Sequence, residues 1–272
     1  MDPTAEERWR EALLGVPPMH LLTRRLFARL PSSPRCKNCA APFAGPGSWL
    51  ARAMGCGHWS RNPTFCARCI GQVSSRGIGG AEVELSMLFA DIRGSTTIAE
   101  GMSAAEFAGL LDRFYAVAVD VLVREDAMID KFVGDEVVAL FIPAFAKERH
   151  AEHAVRAAAR LLAATGHTDP EGPWVPVGVG VNTGMAYVGA VGSQGQVTDV
   201  TALGDAVNTT ARLASAAQAG QVLVTESAAA ASGLNIDGLG VERIELKGKS
   251  EPTAVHILTA GDSVDARLGA RA

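Results

Sequence analysis

Residues 128–141, which read MIDKFVGDEVVALF, decide the fold of this chain. Two apolar segments flank a short turn at Gly134, and glycine readily adopts the positive φ that tight hairpin turns require. The stretch therefore predicts a β-hairpin with Asp135 at its tip. A second apolar segment, residues 83–89, leads in the same way into Asp91. Two carboxylates at the ends of two strands predict a site for divalent cations and phosphate.

Each aspartate taken alone has a simpler interpretation, because Asp often caps turns. The residues around them favour chemistry instead. A Gly94-Ser95-Thr96 loop follows Asp91 and offers backbone amides to a phosphate. Cationic and hydrogen-bonding side chains for phosphoryl transfer are also available downstream. They are Asn208, Arg212 and Lys247.

Length and composition bound the class of protein. The chain has 272 residues, enough for one large domain and a small one, and its 48% hydrophobic and 20% charged residues are typical of a globular protein. The formal net charge of −4 argues against nucleic acid as a partner. No apolar run reaches the ~20 residues of a membrane span, and the acidic start does not resemble a secretory signal. We therefore expect a cytoplasmic protein with reduced thiols.

All five cysteines fall within residues 36–69, and four of them form two Cys-x-x-Cys pairs. In a reducing compartment this spacing predicts a tetrahedral zinc site. Its expected ligands are Cys36, Cys39, Cys66 and Cys69. An iron–sulfur cluster, or a ligand set that includes Cys56 or His58, remains an alternative. Contact of this module with nucleic acid is disfavoured, because no helix suited to reading a groove is visible.

The remaining pattern alternates helices and strands, which predicts a sheet with helices on one face. Ser103 and Glu106 form a capping box before a helix, and Asp205 is the expected N-cap of a helix over residues 206–217. We expect His150 and His153 to be exposed. The predicted organisation is a helical segment (1–35), a cysteine-rich module (36–71), a linker (72–80), a main domain (81–260) and a flexible tail (261–272).

Four motifs in the main domain carry a family resemblance. They are FADIRGST at 89–96, KFVGDE at 131–136, GDAVNTTAR at 204–212 and KGKSEP at 247–252. From Glu84 to Leu258 the chain resembles the catalytic domain of class III nucleotidyl cyclases. The resemblance implies an α+β fold with a ferredoxin-like βαββαβ core, an antiparallel sheet and helices. The small helical and Cys-rich metal-binding module predicted from the cysteine spacing would precede it.

The resemblance also implies two Mg²⁺ or Mn²⁺ ions in each site, with Asp91, Ile92 and Asp135 as ligands. The positions that match phosphate-binding positions of the family are Gly94, Ser95, Thr96, Arg212 and Lys247. Asn208 matches the residue that orients the ribose, and Arg212 the arginine that stabilises charge at the α-phosphate.

Two further positions are expected to read the base. Lys131 matches a residue that contacts the purine and favours adenine, whereas guanylyl cyclases typically carry Glu there. Thr201 falls where many adenylyl cyclases have Asp, and Thr is similar to a bacterial subclass that substitutes it. The implied activity is an adenylate cyclase, a lyase that converts ATP to 3′,5′-cyclic AMP and pyrophosphate.

In this family the sites are built across a dimer interface, so the resemblance implies a homodimer with two equivalent sites. Three alternatives remain open at this point. The first is a guanylate cyclase. The second is a catalytically silent nucleotide-binding or regulatory domain with a zinc-finger docking module. The third is a diguanylate cyclase, which shares the core. The last is disfavoured because Val133 precedes Gly134 where that family has glycine.

Overall fold

The computed structural model describes residues 4–15, 26–27, 34–37, 39–60, 62–74, 79–192, 198–245 and 252–269. These residues fall into two compact units. One comprises Met1–Val83 with Tyr187–Ala202, and the other comprises Glu84–Ala186 with Leu203–Ala272. The predicted site residue Lys247 and much of the predicted helical region 5–30 lie outside the described residues. None of the described helices has both the length and the apolar character needed to cross a membrane.

The N-terminal part of the first unit consists of short elements, several of which surround the cysteines. They are helix α1 (Ala5–Leu13), helix α2 (Ser48–Ala53), strands β1 (His58–Trp59) and β2 (Asn62–Cys66), and helix α3 (Ala67–Ser74). Thr4 and Glu7 close a capping box at the start of α1, and the same helix buries Trp9 and Leu13. Strands β1 and β2 pair antiparallel.

The remaining elements follow in chain order. The strands are β3 (Gly79–Ile92), β4 (Met128–Val133), β5 (Glu136–Phe141), β6 (Val177–Gly192), β7 (Thr198–Leu203), β8 (Gln221–Thr225), β9 (Gly240–Ile244) and β10 (Thr253–Thr259). The helices are α4 (Ser95–Glu100), α5 (Ala104–Arg124), α6 (Pro143–Ala146), α7 (His150–Ala164), α8 (Asp205–Ala216), α9 (Glu226–Ser232) and α10 (Val264–Arg267), with a 3₁₀ turn at Lys147–Arg149.

The described strands β3 to β10 form an eight-stranded sheet in the order β4-β5-β3-β6-β8-β10-β9, with β7 paired to β6. The predicted α+β class is confirmed, and so is the hairpin of β4 and β5. The prediction of an antiparallel sheet needs one correction, because β6 and β8 pair in parallel. Helix α8 lies between these two strands in sequence, and such a crossover allows the parallel direction.

Helices α5 and α7 cover one face of the sheet and enclose the main core. The Ser103 side chain accepts a hydrogen bond from the Glu106 backbone amide, and the Glu106 side chain accepts one from the Ser103 backbone amide. The predicted capping box of α5 is therefore present. The largest core side chains are fully buried. They include Phe114, Leu122, Phe141, Leu161 and Leu88.

Regular elements extend into two of the predicted segments, the linker 72–80 and the tail 261–272. Helix α3 continues to Ser74 and β3 starts at Gly79, so most of the proposed linker 72–80 belongs to regular elements. The predicted flexible tail contains α10, whose first residue, Val264, and C-cap, Leu268, are buried in the main core. Arg267 also pairs with Asp262 at 3.0 Å. Four helical residues are too few for a hydrophobic period to reveal them in sequence.

Two local predictions are also corrected. The N-cap of α8 is Gly204, with a φ of 132°, and Asp205 is the first helical residue. His150 is buried rather than exposed, since its Nδ1 lies 2.9 Å from the hydroxyl of Ser86, which in turn lies 2.6 Å from that of Thr183. Burial lowers the pKa of His150, so a neutral ring fits this position.

An ion-pair network joins the end of α5 to α7 and α10. Arg156 is its centre, and it contacts Glu152 at 2.5 Å, Asp265 at 2.9 Å and the buried Glu125 at 3.7 Å. Arg149 also forms an ion pair with Glu152. Hydrogen bonds from Arg149, and then from Arg156, lower the pKa of Glu152 to about 2, although burial acts in the opposite direction.

We expect Glu152→Gln to lower the free energy of unfolding at pH 7 by about 1 kcal/mol, a modest value because Arg149 is exposed. The folded pKa of Glu152 lies below its ordinary value of 4.5, so its contribution is complete above pH 4.5 and disappears as pH falls through about 2. Urea denaturation from pH 7 down to about pH 2 should show the two proteins converging in acid. Glu148→Gln, a change at an exposed neighbour, is the control, and a gap that stays constant with pH would contradict the assignment.

Candidate active site

The two predicted metal-binding aspartates lie at adjacent strand ends. Strands β3 and β5 are antiparallel, and their register sets Asp91 opposite Glu136. The Ile92 amide donates to the carbonyl of Asp135 at 3.4 Å. Directly opposed residues project from the same face of a sheet at short Cβ separation. The pairing therefore gathers the carboxylates of Asp91, Asp135 and Glu136 at one end of β3 and β5.

The crowding of these acids changes their electrostatics. Burial, together with the charge of Asp135, raises the pKa of Glu136 to about 7, while Arg93 acts in the opposite direction. Arg93 forms an ion pair with Asp91. Burial lowers the pKa of Arg93, and the charges of Asp135 and Glu136 oppose that shift. The site thus holds three acidic groups around one partly buried guanidinium.

The turn that carries Asp135 is supported by two features. Gly134 has a φ of 61°, in the left-handed region that glycine adopts without strain. The hydroxyl of Tyr115, on helix α5, donates to the Gly134 carbonyl. The Tyr115 ring also packs on Phe132, with 4.5 Å between ring centroids. Helix α5 therefore holds the tip of the hairpin from the side.

The donor set fits a hard divalent cation. Mg²⁺ and Mn²⁺ prefer carboxylate and carbonyl oxygens. Those oxygens converge here at the ends of two strands that share a rigid core. Acidic groups also outnumber the guanidinium among them, so added positive charge would be favourable. Asp91 and Asp135, with the Ile92 backbone, are the residues that would hold the ions.

Lys131 lies on β4, four residues before Asp135. The register of β4 against β5 shifts between Ile129 and Lys131, as in a β-bulge at Asp130. Asp130 is buried, and its Oδ2 lies 3.3 Å from Nζ of the exposed Lys131. The bulge thus buries Asp130 beside Lys131, so that the carboxylate of Asp130 is a polar partner for the Lys131 ammonium.

Asn208 and Arg212 lie one turn apart on helix α8. The helix packs closely on β6, because a Cβ on Gly180 would lie 2.6 Å from the Ala214 backbone nitrogen. Asn182 on β6 also donates to the carbonyl of Ala206 at 3.0 Å. Asn208 is exposed and Arg212 half-buried, so both side chains are available to a ligand.

The other predicted nucleotide-binding residues have separate positions. Gly94, with a φ of 69°, is the N-cap of α4, and Ser95 and Thr96 begin that helix directly after β3. Thr201 is a buried residue of β7 and belongs to the first unit. The structure therefore brings Asp91, Ile92, Asp135 and the Gly94–Thr96 loop into one neighbourhood, and Asn208 and Arg212 into another.

The four predicted cysteine ligands come together in the first unit. The sulfurs of Cys36, Cys39, Cys66 and Cys69 all lie within 4.8 Å of one another, and all four residues are buried. The sulfurs of Cys39 and Cys66 are 3.6 Å apart. Backbone amides also donate to sulfur, from Cys66 to Cys36 at 3.3 Å and from Cys69 to Cys66 at 3.4 Å. Such a group can hold a metal ion.

The remaining thiol, Cys56, and the nearby His58 are not among these four residues and make other contacts. Cys56 is buried beside the four, and its sulfur lies 4.0 Å from the Met54 carbonyl. His58 directs Nδ1 to the carbonyl of Pro63 at 2.7 Å and stacks on Phe43, with 4.0 Å between ring centroids.

Three contributors to the carboxylate site were not assigned as site residues from sequence. Arg93 was visible within the FADIRGST motif, but nothing in the spacing shows which group it contacts. Glu136 was visible in the turn, and its raised pKa follows from burial by residues remote in sequence. Tyr115 is 19 residues from the carbonyl it binds, and no local signal marks it.

Comparison with known proteins agrees with the motifs. Residues 81–260 match the family model described as the adenylate and guanylate cyclase catalytic domain. The terminal-differentiation specific adenylate cyclase of Dictyostelium discoideum is 32% identical over 192 residues, which cover 68% of this chain and 9% of that protein. Adenylate cyclase 1 of Rhizobium meliloti is 37% identical over 135 residues, or 48% of this chain and 20% of that protein. The chain thus spans a minor part of these curated relatives.

Solved structures share the fold. The guanylyl cyclase Cya2 superposes with a TM-score of 0.62 at 25% identity, covering 71% of this chain and all of that one. The adenylyl cyclase CyaB from P. aeruginosa superposes with a TM-score of 0.57 at 25% identity, covering 68% of this chain and 98% of that one. One neighbour is named for each base, so the fold does not distinguish ATP from GTP.

Proposed function

The chain belongs to the family of adenylate and guanylate cyclase catalytic domains, and from this premise we propose that it is an adenylate cyclase that converts ATP to 3′,5′-cyclic AMP and pyrophosphate. One observation carries the proposal. The β3–β5 register sets Asp91 beside the Asp135 turn, as a paired cation site requires. Curated relatives named as adenylate cyclases, one at 37% identity, support the choice of ATP.

The reaction is an intramolecular displacement. The ribose 3′-oxygen attacks the α-phosphorus, its proton leaves, and the bond from that phosphorus to the bridging oxygen breaks to release pyrophosphate. Divalent cations, when bound, would lower the pKa of the 3′-hydroxyl and neutralise the leaving group. Asp91, Ile92 and Asp135 would hold them. Arg212 would stabilise charge at the α-phosphate, and Asn208 would orient the ribose.

The residues that would contact the triphosphate and the base are assigned from the family motifs. Lys247, with the Gly94-Ser95-Thr96 loop, would contact the phosphates. Lys131 would read the adenine, and its exposed ammonium beside the buried Asp130 supports that role. Thr201 would be the second base-reading residue, as in cyclases that carry Thr in place of Asp. The alternative activity is that of a guanylate cyclase.

Two copies of the chain would form the working enzyme. Each site would take its cations from Asp91 and Asp135 of one subunit, and Lys131, Asn208 and Arg212 from the other. One chain carries both halves, so a symmetric homodimer would contain two equivalent sites. Asn208 and Arg212 lie on α8, whereas Asp91 and Asp135 lie at the ends of β3 and β5, and for these four residues the separation supports the division.

We also propose that the cysteine module, residues 36–71, is a separate structural zinc site ahead of the cyclase domain at 81–260. Tetrahedral coordination with Zn–S bonds of about 2.3 Å requires sulfurs about 3.8 Å apart. The 3.6 Å between Cys39 and Cys66 is close to that value. In an iron–sulfur cluster the four thiolates are divided among two or more iron atoms, which requires a wider set of sulfurs than four that all lie within 4.8 Å of one another. His58 would not be a ligand, because the four cysteines already make up the group whose ligand atoms lie within 4.8 Å of one another.

Base selection is tested by turnover. We expect the purified chain to form cyclic AMP from ATP in the presence of Mn²⁺ or Mg²⁺, with kcat/KM at least about tenfold higher than for GTP. Lys131→Glu should lower kcat/KM for ATP by at least about tenfold. Lys147→Glu makes the same charge change at an exposed residue and should have little effect. A preference for GTP would reverse the assignment of Lys131, and no product from either nucleotide would favour a silent domain.

Shared sites are tested by mixing inactive variants. We expect Asp91→Ala and Arg212→Ala each to be inactive. Half of the randomly mixed dimers contain one subunit of each kind, with one intact site of two, so activity should recover to about a quarter of wild type. Asp91→Ala mixed with Asp135→Ala is the control. Both sites of that dimer are damaged, and it should stay inactive. Failure of the first mixture to recover would contradict sites built across an interface.

Zinc is tested by metal analysis. We expect one zinc per chain in the purified protein, no inorganic sulfide and no visible absorption band. Cys66→Ser should lose the zinc and lower the melting temperature, since structural zinc contributes directly to folding. Cys56→Ser, a change at a neighbouring buried thiol, should retain it. Iron with sulfide, or loss of zinc from the Cys56 variant, would contradict the four-cysteine assignment.

A further inference from the structure

Arg93 connects two parts of the candidate active site. One end of its guanidinium, Nη2, pairs with Oδ2 of Asp91. The other end, Nη1, donates to the carbonyl of Ser215 at 2.7 Å. Ser215 lies in the last turn of α8, three residues after Arg212. A single planar group therefore joins the strand that carries a metal-binding aspartate to the helix that carries Asn208 and Arg212.

The contacts hold the guanidinium in place from both sides. Its side chain is 23% exposed and that of Asp91 is 18% exposed, so solvent screens the pair only partly. The Arg93 backbone is also fixed, because its amide donates to the carbonyl of Pro176 at 2.8 Å. An arginine presents its donors in a rigid fork, whereas a lysine has one mobile ammonium. The fork lets Nη1 and Nη2 engage the two acceptors at the same time in one fixed plane.

We propose that Arg93 is a positioning residue that fixes the carboxylate of Asp91 for a divalent cation by tying it to the end of helix α8. One Asp91 oxygen is engaged by Arg93, and the other remains for the ion. Groups that hydrogen-bond to ligating carboxylates orient them, and their loss weakens metal binding by about 10–100-fold. The inference rests on the proposed function, in which Asp91 is a ligand.

A competing arrangement has the opposite consequence. If Arg93 merely neutralised Asp91 in the metal-free protein, an incoming cation would have to displace it, and removal of Arg93 would strengthen metal binding. The anchor at Ser215 argues against displacement, since the guanidinium cannot leave Asp91 without also straining or breaking its bond to α8. The sign of the change in metal affinity therefore separates the two roles.

The test measures Mn²⁺ binding to the nucleotide-free protein by electron paramagnetic resonance of the free ion. We expect Arg93→Met to raise the dissociation constant about tenfold or more, and Arg93→Lys to restore only part of it. Arg124→Met removes an exposed arginine that pairs with Asp120, and it should bind Mn²⁺ as wild type does. The melting temperature without metal identifies any variant that is merely unfolded.

Unchanged or tighter Mn²⁺ binding by Arg93→Met would overturn the inference. Full recovery in Arg93→Lys would also overturn it, because charge alone would then suffice. Asp91→Ala distinguishes this failure from failure of the proposed function. If Asp91→Ala abolishes Mn²⁺ binding while Arg93→Met does not change it, only the role of Arg93 is wrong. If Asp91→Ala binds Mn²⁺ normally, the proposed cation site itself is wrong.

Discussion

The register between β3 and β5 is the constraint on which the candidate site depends. It sets Asp91 opposite Glu136 and brings the Asp135 turn against Ile92. Like charges so arranged repel one another, and the cost grows as water is excluded. The raised pKa of Glu136 reflects that burial and the neighbouring charge of Asp135. A sheet would not gather acids in this way without cationic groups to offset them, and Arg93 is the one supplied by the FADIRGST motif itself.

The rest of the second unit makes that arrangement rigid. Beneath the strand ends lies a core of fully buried apolar side chains, which resists a shift of register because a slip of one residue would reverse every side chain. Gly134 allows the sharp turn, and Tyr115 holds it from helix α5. Gly180 lets α8 approach the sheet closely. The same sheet therefore fixes both groups of residues: the carboxylates lie at the ends of β3 and β5, and α8 packs on β6.

Local features of this structure were predictable from sequence, and those that depend on remote contacts were not. The β4–β5 hairpin and the Ser103 capping box each depend on a few neighbouring residues. The gathering of the two Cys-x-x-Cys pairs joins residues 27 apart in sequence, and it was predictable because the spacing within each pair is that of metal ligands. The burial of His150 depends on Ser86, 64 residues away, and its charged neighbours suggested exposure. The bulge at Asp130 adds a residue that no alternation pattern reveals. Helix α10 is likewise stabilised by core contacts rather than by its own four residues.

The proposed dimer gives the Arg93 contact a second meaning. In one chain, Arg93 joins Asp91 to the end of α8. If Asp91 serves one site while Asn208 and Arg212 serve the other, this guanidinium links halves of two different sites. A change in the position of Asp91 when a cation binds would act on α8, and so on the group that stabilises charge in the second site. Arg93 would then couple the two sites directly, because it orders the cation ligand Asp91 of one site and also supports helix α8, whose Asn208 and Arg212 serve the other site.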